Sequence, residues 1–242
     1  MDSLIKYGPE YLKNKNIVLD KKQFIDANFL TTSPDALDFI PQNKKYFYIP
    51  NPCDSSFETL NNYNKQCSMD VFYALSHGVH RGVLKRGKFD DRENFVKKLM
   101  RITPNVKFDV YGLNKVQPIW ADNYFKSISN SKMGLNLSRG KPIKYYSSDR
   151  ITQIIGNGLL TFVDQGTQYG DFFEDDEMIF YKNVDDLSEK IQKYNVEDGL
   201  RKKIAKNGKL KYFKYFNSTL VSQYILEKTY EIPKKKSYLW AK

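Results

Sequence analysis

Cysteine is scarce in this sequence of 242 residues, which holds only Cys53 and Cys67. A small secreted domain stapled by disulfides uses many more, so we expect no disulfide framework and a reducing compartment. No apolar run approaches the roughly 20 residues that a membrane-spanning helix needs. The first residues carry Asp2, Lys6 and Glu10, which is unlike a signal peptide. We therefore expect a cytoplasmic protein, with a peripheral position on a membrane as the alternative.

Two common kinds of binding motif are missing as well. The order Gly–x4–Gly–Lys–Ser/Thr of a Walker phosphate loop does not occur. The chain has two histidines, His77 and His80, and the spacing of the two cysteines does not suit a compact zinc knuckle. We therefore expect no metal site.

Positive charge is concentrated near the carboxyl end of the chain. The formal net charge is +11, and residues 199–242 hold twelve Lys or Arg against two glutamates. This segment is either a solvated helix face or a surface that attracts an anionic membrane or another polyanion. Nucleic acid is not expected as the partner, because no recognised nucleic-acid module accompanies the charge.

Short apolar runs alternate with amphipathic helical patterns through the middle of the chain. The apolar runs predict strands over residues 69–75, 106–110, 133–137, 159–163 and 178–181. The helical patterns begin at Asp90, at about Trp120, at Asp149 and at Asp186, where Glu189 would complete a capping box. This alternation predicts a Rossmann-like α/β fold, with a parallel sheet and helices on both faces. Ligands of such sheets bind beyond the carboxyl ends of the strands, here in loops 76–89, 111–118, 138–149 and 164–171.

The two ends of the chain differ from this middle. Before residue 66 the sequence predicts an apolar segment at 27–30, a helix at 34–39, a strand at 46–49 and then a linker. We interpret these as the last units of a preceding, partial α/β domain. Near the other end, Asn217 or Ser218 is expected to cap a helix.

The most informative segment is 136–164, with the sequence NLSRGKPIKYYSSDRITQIIGNGLLTFVD. A strand runs into a loop with Arg139, Lys141 and Lys144, and a helix starts after Ser147 and Ser148. Free N–H groups at a helix start attract anions, and nearby hydroxyls and cations strengthen that preference. A diphosphate suits this combination. The alternative is an ordinarily capped surface helix with incidental lysines.

A second loop, 77–88, has the sequence HGVHRGVLKRGK and also follows a predicted strand. Its three glycines permit close backbone approach, while Arg81 and Lys85 are among its basic residues. Alone this loop is weak evidence. Two such loops at carboxyl ends of one predicted sheet together indicate an anion site.

The residues from Ser147 to Ile151 (SSDRI) and from Gly158 to Leu160 (GLL) resemble the carboxyl domain of group-1 glycosyltransferases. The nearest subgroup is the one related to spore-maturation glycosyltransferases, and the resemblance covers about residues 70–230. It implies a GT-B fold, a nucleoside-diphosphate sugar as donor substrate, and catalysis without a metal or another cofactor. It also divides the chain into a partial acceptor-side domain and linker (1–66), a donor-binding domain (67–230) and a basic tail (231–242).

The resemblance further implies roles for individual residues. Three basic residues would act in catalysis by neutralising the donor diphosphate: Arg81, Lys85 and Arg139. Eight residues would bind the donor: His77, Gly78, Lys144, Ser147, Ser148, Asp149, Arg150 and Gln153. The family's usual pair of glutamates falls on Tyr145 and Gln153. An amide at the second position still bonds a ribose hydroxyl but carries no charge.

These observations together predict a glycosyltransferase that moves a sugar from a nucleoside-diphosphate sugar to a glycan, lipid or protein. The alternative, which the two replaced glutamates favour, is a nucleotide-binding or partner-binding module without catalysis. A third hypothesis is a membrane-surface or nucleic-acid protein led by the basic carboxyl end, which would bind in a strongly salt-dependent way.

Overall fold

A computed structural model of the chain describes residues 16, 20–21, 24–38, 40, 45–75, 91–138, 140–146, 148–233 and 236–241. Within these ranges the strands are β1 (Asn28–Leu30), β2 (Tyr46–Tyr48), β3 (Met69–Ala74), β4 (Phe108–Tyr111), β5 (Ser131–Asn136), β6 (Leu160–Asp164) and β7 (Ile179–Tyr181). The α-helices are α1 (Asp91–Ile102), α2 (Ala121–Ser129), α3 (Arg150–Gly156), α4 (Val184–Val196), α5 (Asp198–Tyr215) and α6 (Ser218–Thr229). None of the helices in the described part is both long and apolar enough to cross a membrane.

Five of the strands form one parallel sheet in the order β4-β3-β5-β6-β7. Val71 of β3 lies opposite Met133 of β5, and Met133 in turn lies opposite Leu160 of β6. This confirms the predicted Rossmann-like α/β fold. The chain moves outward from β3 to β4 and then returns past β3 to add β5 on its other side. The strand order therefore reverses between β3 and β5.

Helices cover both faces of this sheet because its strands carry apolar side chains on both sides. Val71 and Tyr73 of β3 pack in a core with residues of α1 and α4. Phe72 and Ala74, which project from the opposite face, pack with Ile128 of α2 and Ile154 of α3. Right-handed crossovers place α1 on one face and α2 and α3 on the other. The connection from β3 to β4 runs one way along the sheet, and the connections from β4 to β5 and from β5 to β6 run the other way.

The sequence analysis gave no bounds for helix α5 and interpreted residues 199–242 as either a solvated helix face or a basic binding surface. Its 18 residues pass from one core to the other: Ile204 and Ala205 lie in the core beside α4, whereas Tyr212 lies in the aromatic core beyond α3. The buried face of α5 is a single stripe, but it includes the non-apolar positions Arg201 and Gly208. Because Leu200 and Leu210 are exposed instead, no clear apolar stripe marks the helix in the sequence. Arg201 is also buried within it, where its guanidinium donates to the Asp198 carboxylate at 2.7 Å.

A second, small sheet pairs β1 and β2 in parallel. Tyr48 of β2 stacks on Phe172 at 6.1 Å between ring centroids, and Phe47 meets Tyr224 of α6 edge to face. Tyr238 and Trp240 are buried in the same aromatic core, next to Tyr224. The segment 231–242, expected to be a basic tail, therefore contributes two aromatic side chains to the interior.

The helix caps agree with the sequence analysis at one helix and correct it at another. Asn217 caps α6 by accepting a hydrogen bond from the Leu220 amide at 2.9 Å, as predicted. The predicted capping box at Asp186 is wrong, because α4 begins earlier. Asn183 is its cap and accepts hydrogen bonds from the amides of Asp185 and Asp186.

Gly208 allows α5 to lie directly against the backbone of the acidic loop, residues 174–177 (EDDE), which precedes β7. A Cβ at this position would stand 2.1 Å from the carbonyl oxygen of Glu177. We expect Gly208→Ala to lower the free energy of unfolding by about 1–3 kcal/mol, because the helix must shift to admit the methyl group. Urea unfolding measures the loss.

Gly199→Ala in the same helix is the matched control, since a Cβ there meets nothing within 4 Å. Alanine favours a helix more than glycine does, so this variant should be as stable as the wild type or slightly more stable. Equal losses in the two variants would contradict the packing argument.

Candidate functional site

The carboxyl ends of β3 and β5 mark the place where a parallel sheet of this order binds ligands. Where the strand order reverses, the connections that leave the two neighbouring strands run in opposite directions and leave a crevice beyond the strand ends. β3 ends at Ala74 and β5 ends at Asn136. The two loops predicted to bind an anion, 77–88 and 138–149, both follow these ends.

The guanidinium of Arg150, the first residue of α3, joins the two strand ends. Its Nε donates to the carbonyl oxygen of Ala74 at 3.0 Å, and one terminal nitrogen donates to the carbonyl oxygen of Leu137 at 3.2 Å. The same nitrogen donates to Ser148 Oγ at 3.1 Å, and the group lies 5.1 Å from the centre of the Tyr73 ring. Arg150 and Ser148, both predicted to bind the donor, thus lie together at the base of the crevice.

Gln153 lies one turn further along α3 and bonds to α2. The hydroxyl of Tyr124 donates to Gln153 Oε1. Burial raises the pKa of Tyr124, so this hydroxyl keeps its proton. Tyr124 is held in turn by an edge-to-face contact with Phe72, with ring centroids 5.3 Å apart. Because the oxygen of the Gln153 amide accepts from Tyr124, its Nε2 hydrogens are the part that is left for a ligand.

Tyr145, the other replaced glutamate position, turns away from the crevice toward the aromatic core. Its backbone has φ +59°, and its ring lies 4.5 Å from that of Phe172. The Tyr145 hydroxyl donates to the carboxylate of Asp171. Burial and the nearby Asp171 carboxylate raise the pKa of Tyr145. This side chain therefore supplies no negative charge at the position of the missing glutamate.

Lys144 is paired within the protein. Its Nζ lies 2.7 Å from Asp35 Oδ2, and its carbonyl oxygen accepts a hydrogen bond from the Ser33 amide at 3.0 Å. The amino-terminal segment thereby docks on the loop that leaves β5. A phosphate at Lys144 would have to share the ammonium with Asp35.

Other candidate residues occupy different settings at the same edge. Asp149 stands at the start of α3 and makes no capping hydrogen bond with its side chain, and α3 has only seven residues. Trp120 precedes α2 and is 53% exposed, whereas Tyr146 is buried. Within the described ranges, no group of three or more His, Cys, Asp or Glu side chains is placed to hold a metal ion.

Six of the predicted site residues lie outside the described residues: His77, Gly78, Arg81, Lys85, Arg139 and Ser147. Their roles stay predictions.

Asn136 is a site candidate that the sequence analysis missed. It is the last residue of β5 and is 1% exposed, and within the described ranges its amide nitrogen Nδ2 has no hydrogen-bond partner. The signal in the sequence is an amide between Leu135 and Leu137 at the end of an otherwise apolar strand. That signal is weak, because asparagine is also common where strands end in turns.

The Arg150 contacts predict a cost for its removal. Arg150→Met should lower the free energy of unfolding by about 1–3 kcal/mol, because two buried carbonyl oxygens lose their donor. Arg101→Met, at an exposed position near the end of α1, should change it by no more than about 0.5 kcal/mol. Urea unfolding of both variants tests this, and a loss at Arg150 no larger than at Arg101 would refute the joining role.

The Asp35–Lys144 pair predicts a small pH dependence. The hydrogen bond from Lys144 lowers the pKa of Asp35, so the pair stabilises the fold above the unfolded-state pKa of Asp. That stability is lost as the pH falls through the lower, folded-state pKa. Since the Asp35 side chain is 61% exposed, we expect less than about 1 kcal/mol. Wild type should lose this extra stability between about pH 5 and pH 2, and Asp35→Asn should not.

Thermal unfolding across this pH range measures the difference. Asp176→Asn, an exposed change in the acidic loop, controls for the removal of one negative charge. A wild-type pH profile that coincides with that of Asp35→Asn would show that the pair contributes nothing.

The family described as glycosyl transferase-like matches residues 90–227 of this chain. The match begins with α1 and runs through β4, β5, α3 and the helices α4 to α6. The match therefore includes β5, which borders the crevice on one side, and the segment 136–164. No curated protein matches the sequence.

Solved structures of similar fold are glycosyltransferases with low sequence identity. HepE of Anabaena in complex with UDP-glucose has a TM-score of 0.64 at 11% identity, over 93% of this chain and 70% of HepE. TarM of S. aureus in complex with UDP has a TM-score of 0.63 at 12% identity, over 90% of this chain and 46% of TarM. The glycosyltransferase of Rickettsia africae has a TM-score of 0.55 at 14% identity, over 90% of this chain and 68% of that enzyme.

The present chain thus spans about half the length of TarM and about two thirds of the other two. At these identities the likeness shows the fold, which is the GT-B architecture expected from the sequence. The family assignment has separate support, because the family match covers more than half of the 242 residues. On this ground the chain belongs to the glycosyl transferase-like family.

Proposed function

We propose that this chain binds a nucleoside-diphosphate sugar in the crevice between β3 and β5 and transfers the sugar to a glycan, lipid or protein acceptor. One observation carries the proposal. The family match runs through the segment 136–164. In the fold this segment begins at the end of β5, next to the point where the strand order reverses. Family membership and site topology therefore indicate the same edge of the molecule.

The predicted cations would balance the charge of the departing diphosphate. Arg81, Lys85 and Arg139 act on the phosphates in this scheme, and Lys144 adds a charge that it shares with Asp35. Positioned cations stabilise the negative charge that develops as the sugar–phosphate bond breaks. We propose that they take this role without a metal ion, and that the nucleotide sugar is a substrate with no further cofactor.

Gln153 would contact the ribose. Because Tyr124 donates to its carbonyl oxygen, the amide would offer Nε2 hydrogens to a hydroxyl oxygen, where a glutamate would offer an acceptor.

The motif residues 147–160 also support placing the chain nearest the spore-maturation subgroup.

The solved neighbours suggest which nucleotide to test first. HepE is described with UDP, UDP-glucose and glucose, and TarM with UDP and α-GlcNAc-glycerol. We propose a uridine nucleotide sugar as the first candidate donor and a glycan as the first candidate acceptor.

The second candidate function is a binding module without catalysis. The observation that favours it is the replacement of both glutamates, since Tyr145 is turned into the aromatic core and Gln153 carries no charge. Both functions include nucleotide binding, and they differ only in turnover. Transfer of labelled sugar to a panel of glycan, lipid and protein acceptors favours the enzyme. Binding without transfer favours the module.

Thermal unfolding with UDP, GDP and UDP-glucose tests donor binding. A ligand that binds only the folded chain adds about 2.7 kcal/mol of stability at a hundredfold excess over its Kd. We expect at least one of these ligands to raise the unfolding midpoint of the wild type. Arg139→Ala should abolish or strongly reduce that rise, because it removes a phosphate-binding charge.

Lys203→Ala, at an exposed position on α5, is the control for the loss of one positive charge and should keep the full rise. If none of the ligands shifts the midpoint of the folded wild type at millimolar concentration, the proposed donor site is wrong. If Lys203→Ala reduces the rise as much as Arg139→Ala does, the binding depends on general charge and is not at this crevice.

A further inference from the structure

Asn136 carries an unpaired polar group in the interior of the protein. Its side chain is 1% exposed, and its Nδ2 has no hydrogen-bond partner among the residues that the structure describes. A buried donor that bonds to nothing destabilises a folded protein, and native structures pair nearly all such groups. A donor of this kind at a functional edge is therefore a candidate to bond to a ligand.

The topology places this amide at the crevice. Gly134, two residues earlier on β5, faces α3, because a Cβ there would stand 2.6 Å from the Ile154 side chain. Side chains alternate along a strand, so Asn136 projects from the same face but nearer the carboxyl edge. Since Phe72 pairs with Gly134, the residue opposite Asn136 on β3 is Ala74, whose carbonyl oxygen Arg150 binds. The amide therefore lies where β3, β5 and the start of α3 meet.

The side-chain nitrogens of the two other buried asparagines, Asn62 and Asn157, are paired, although Asn62 Oδ1 has no partner among the described residues. Asn62 is fully buried at the opposite edge of the sheet, and its Nδ2 donates to the carbonyl oxygens of Ile128 and Ser131 at 2.7 and 2.8 Å. Asn157 donates to the Gln153 carbonyl oxygen and accepts from the Leu60 amide. Asn62 and Asn157 thus hold the fold together, whereas the Asn136 donor contributes no such bond.

We propose that Asn136 is a ligand-binding residue whose Nδ2 donates to an acceptor oxygen of the bound nucleoside diphosphate, on its ribose or its phosphates. The inference rests on the proposed function and adds a residue to its site. Gln153 offers a second neutral donor from α3, on the same face of the sheet. Ribose hydroxyls and phosphates are rich in acceptor oxygens, so neutral donors and cations together match such a ligand.

The test compares Asn136→Leu with Asn62→Leu, two nearly isosteric changes at buried asparagines. Without ligand, Asn62→Leu should lower the unfolding midpoint by several degrees, because two carbonyl oxygens lose their donor. Asn136→Leu should leave the midpoint unchanged or raise it, since the change removes an unpaired donor. With UDP and GDP as probes, Asn136→Leu should weaken the Kd about tenfold or more, the value of one hydrogen bond to a ligand. Asn62→Leu should bind as the wild type does.

The contrast between folding and binding separates this proposal from a structural role. If Asn136→Leu loses as much stability as Asn62→Leu, or binds the nucleotide like the wild type, the proposal is overturned while the proposed function stands. Asn136→Ala serves the same comparison if leucine does not fit. If the wild type itself binds neither UDP nor GDP, the proposed function fails and this inference falls with it.

The binding of uridine and UMP to Asn136→Leu and to the wild type shows which ligand oxygen accepts the hydrogen bond from Nδ2. A binding loss that is as large for uridine as for UDP places the acceptor on the nucleoside. A loss seen only with the phosphorylated ligands places it on a phosphate. Either pattern supports the proposal.

Discussion

The hydrogen bonds from Arg150 to the ends of β3 and β5 hold the crevice in shape. Beyond the last residue of a parallel strand, backbone carbonyl groups have no further strand partner, and at an internal edge they also lack free access to water. One guanidinium satisfies a carbonyl oxygen on each strand, at 3.0 and 3.2 Å, and lies over the Tyr73 ring. Both loops predicted to bind the donor therefore start from strand ends whose separation is fixed.

The polar groups around this junction differ from those implied by the family resemblance in one systematic way. Neither usual glutamate is present: Tyr145 bonds to Asp171 and packs in the aromatic core, while Gln153 is a neutral amide. The absence of two carboxylates makes the edge less negative, which favours an anionic diphosphate nearby. Neutral donors from Asn136 and Gln153 would then provide the hydrogen-bond specificity. Under the proposed function, the site would keep an electrostatic preference for a nucleotide and would recognise the nucleotide through neutral donors.

The strands of the main sheet could be predicted because each is a short apolar run bounded by turn residues. Most residues of β3 and β6 are apolar and buried, as is typical of parallel strands covered on both faces. Helix α5 was given no bounds, because its buried stripe includes Arg201 and Gly208 while Leu200 and Leu210 are exposed, which blurs the apolar pattern. The start of α4 was placed too late, since the capping asparagine, Asn183, precedes two acidic residues that resemble a cap themselves. Local sequence also gave no way to see that Arg150 would bond to residues 74 and 137.

Hydrogen exchange of the backbone amides, with and without UDP, tests the central claim most directly, because it locates binding along the chain without a mutation. The account predicts slower exchange in the loops that leave β3 and β5 and in α3, with little change at the amino edge of the sheet or in α5 and α6. Protection confined to the basic helices α5 and α6, with none beyond β3 and β5, would contradict it.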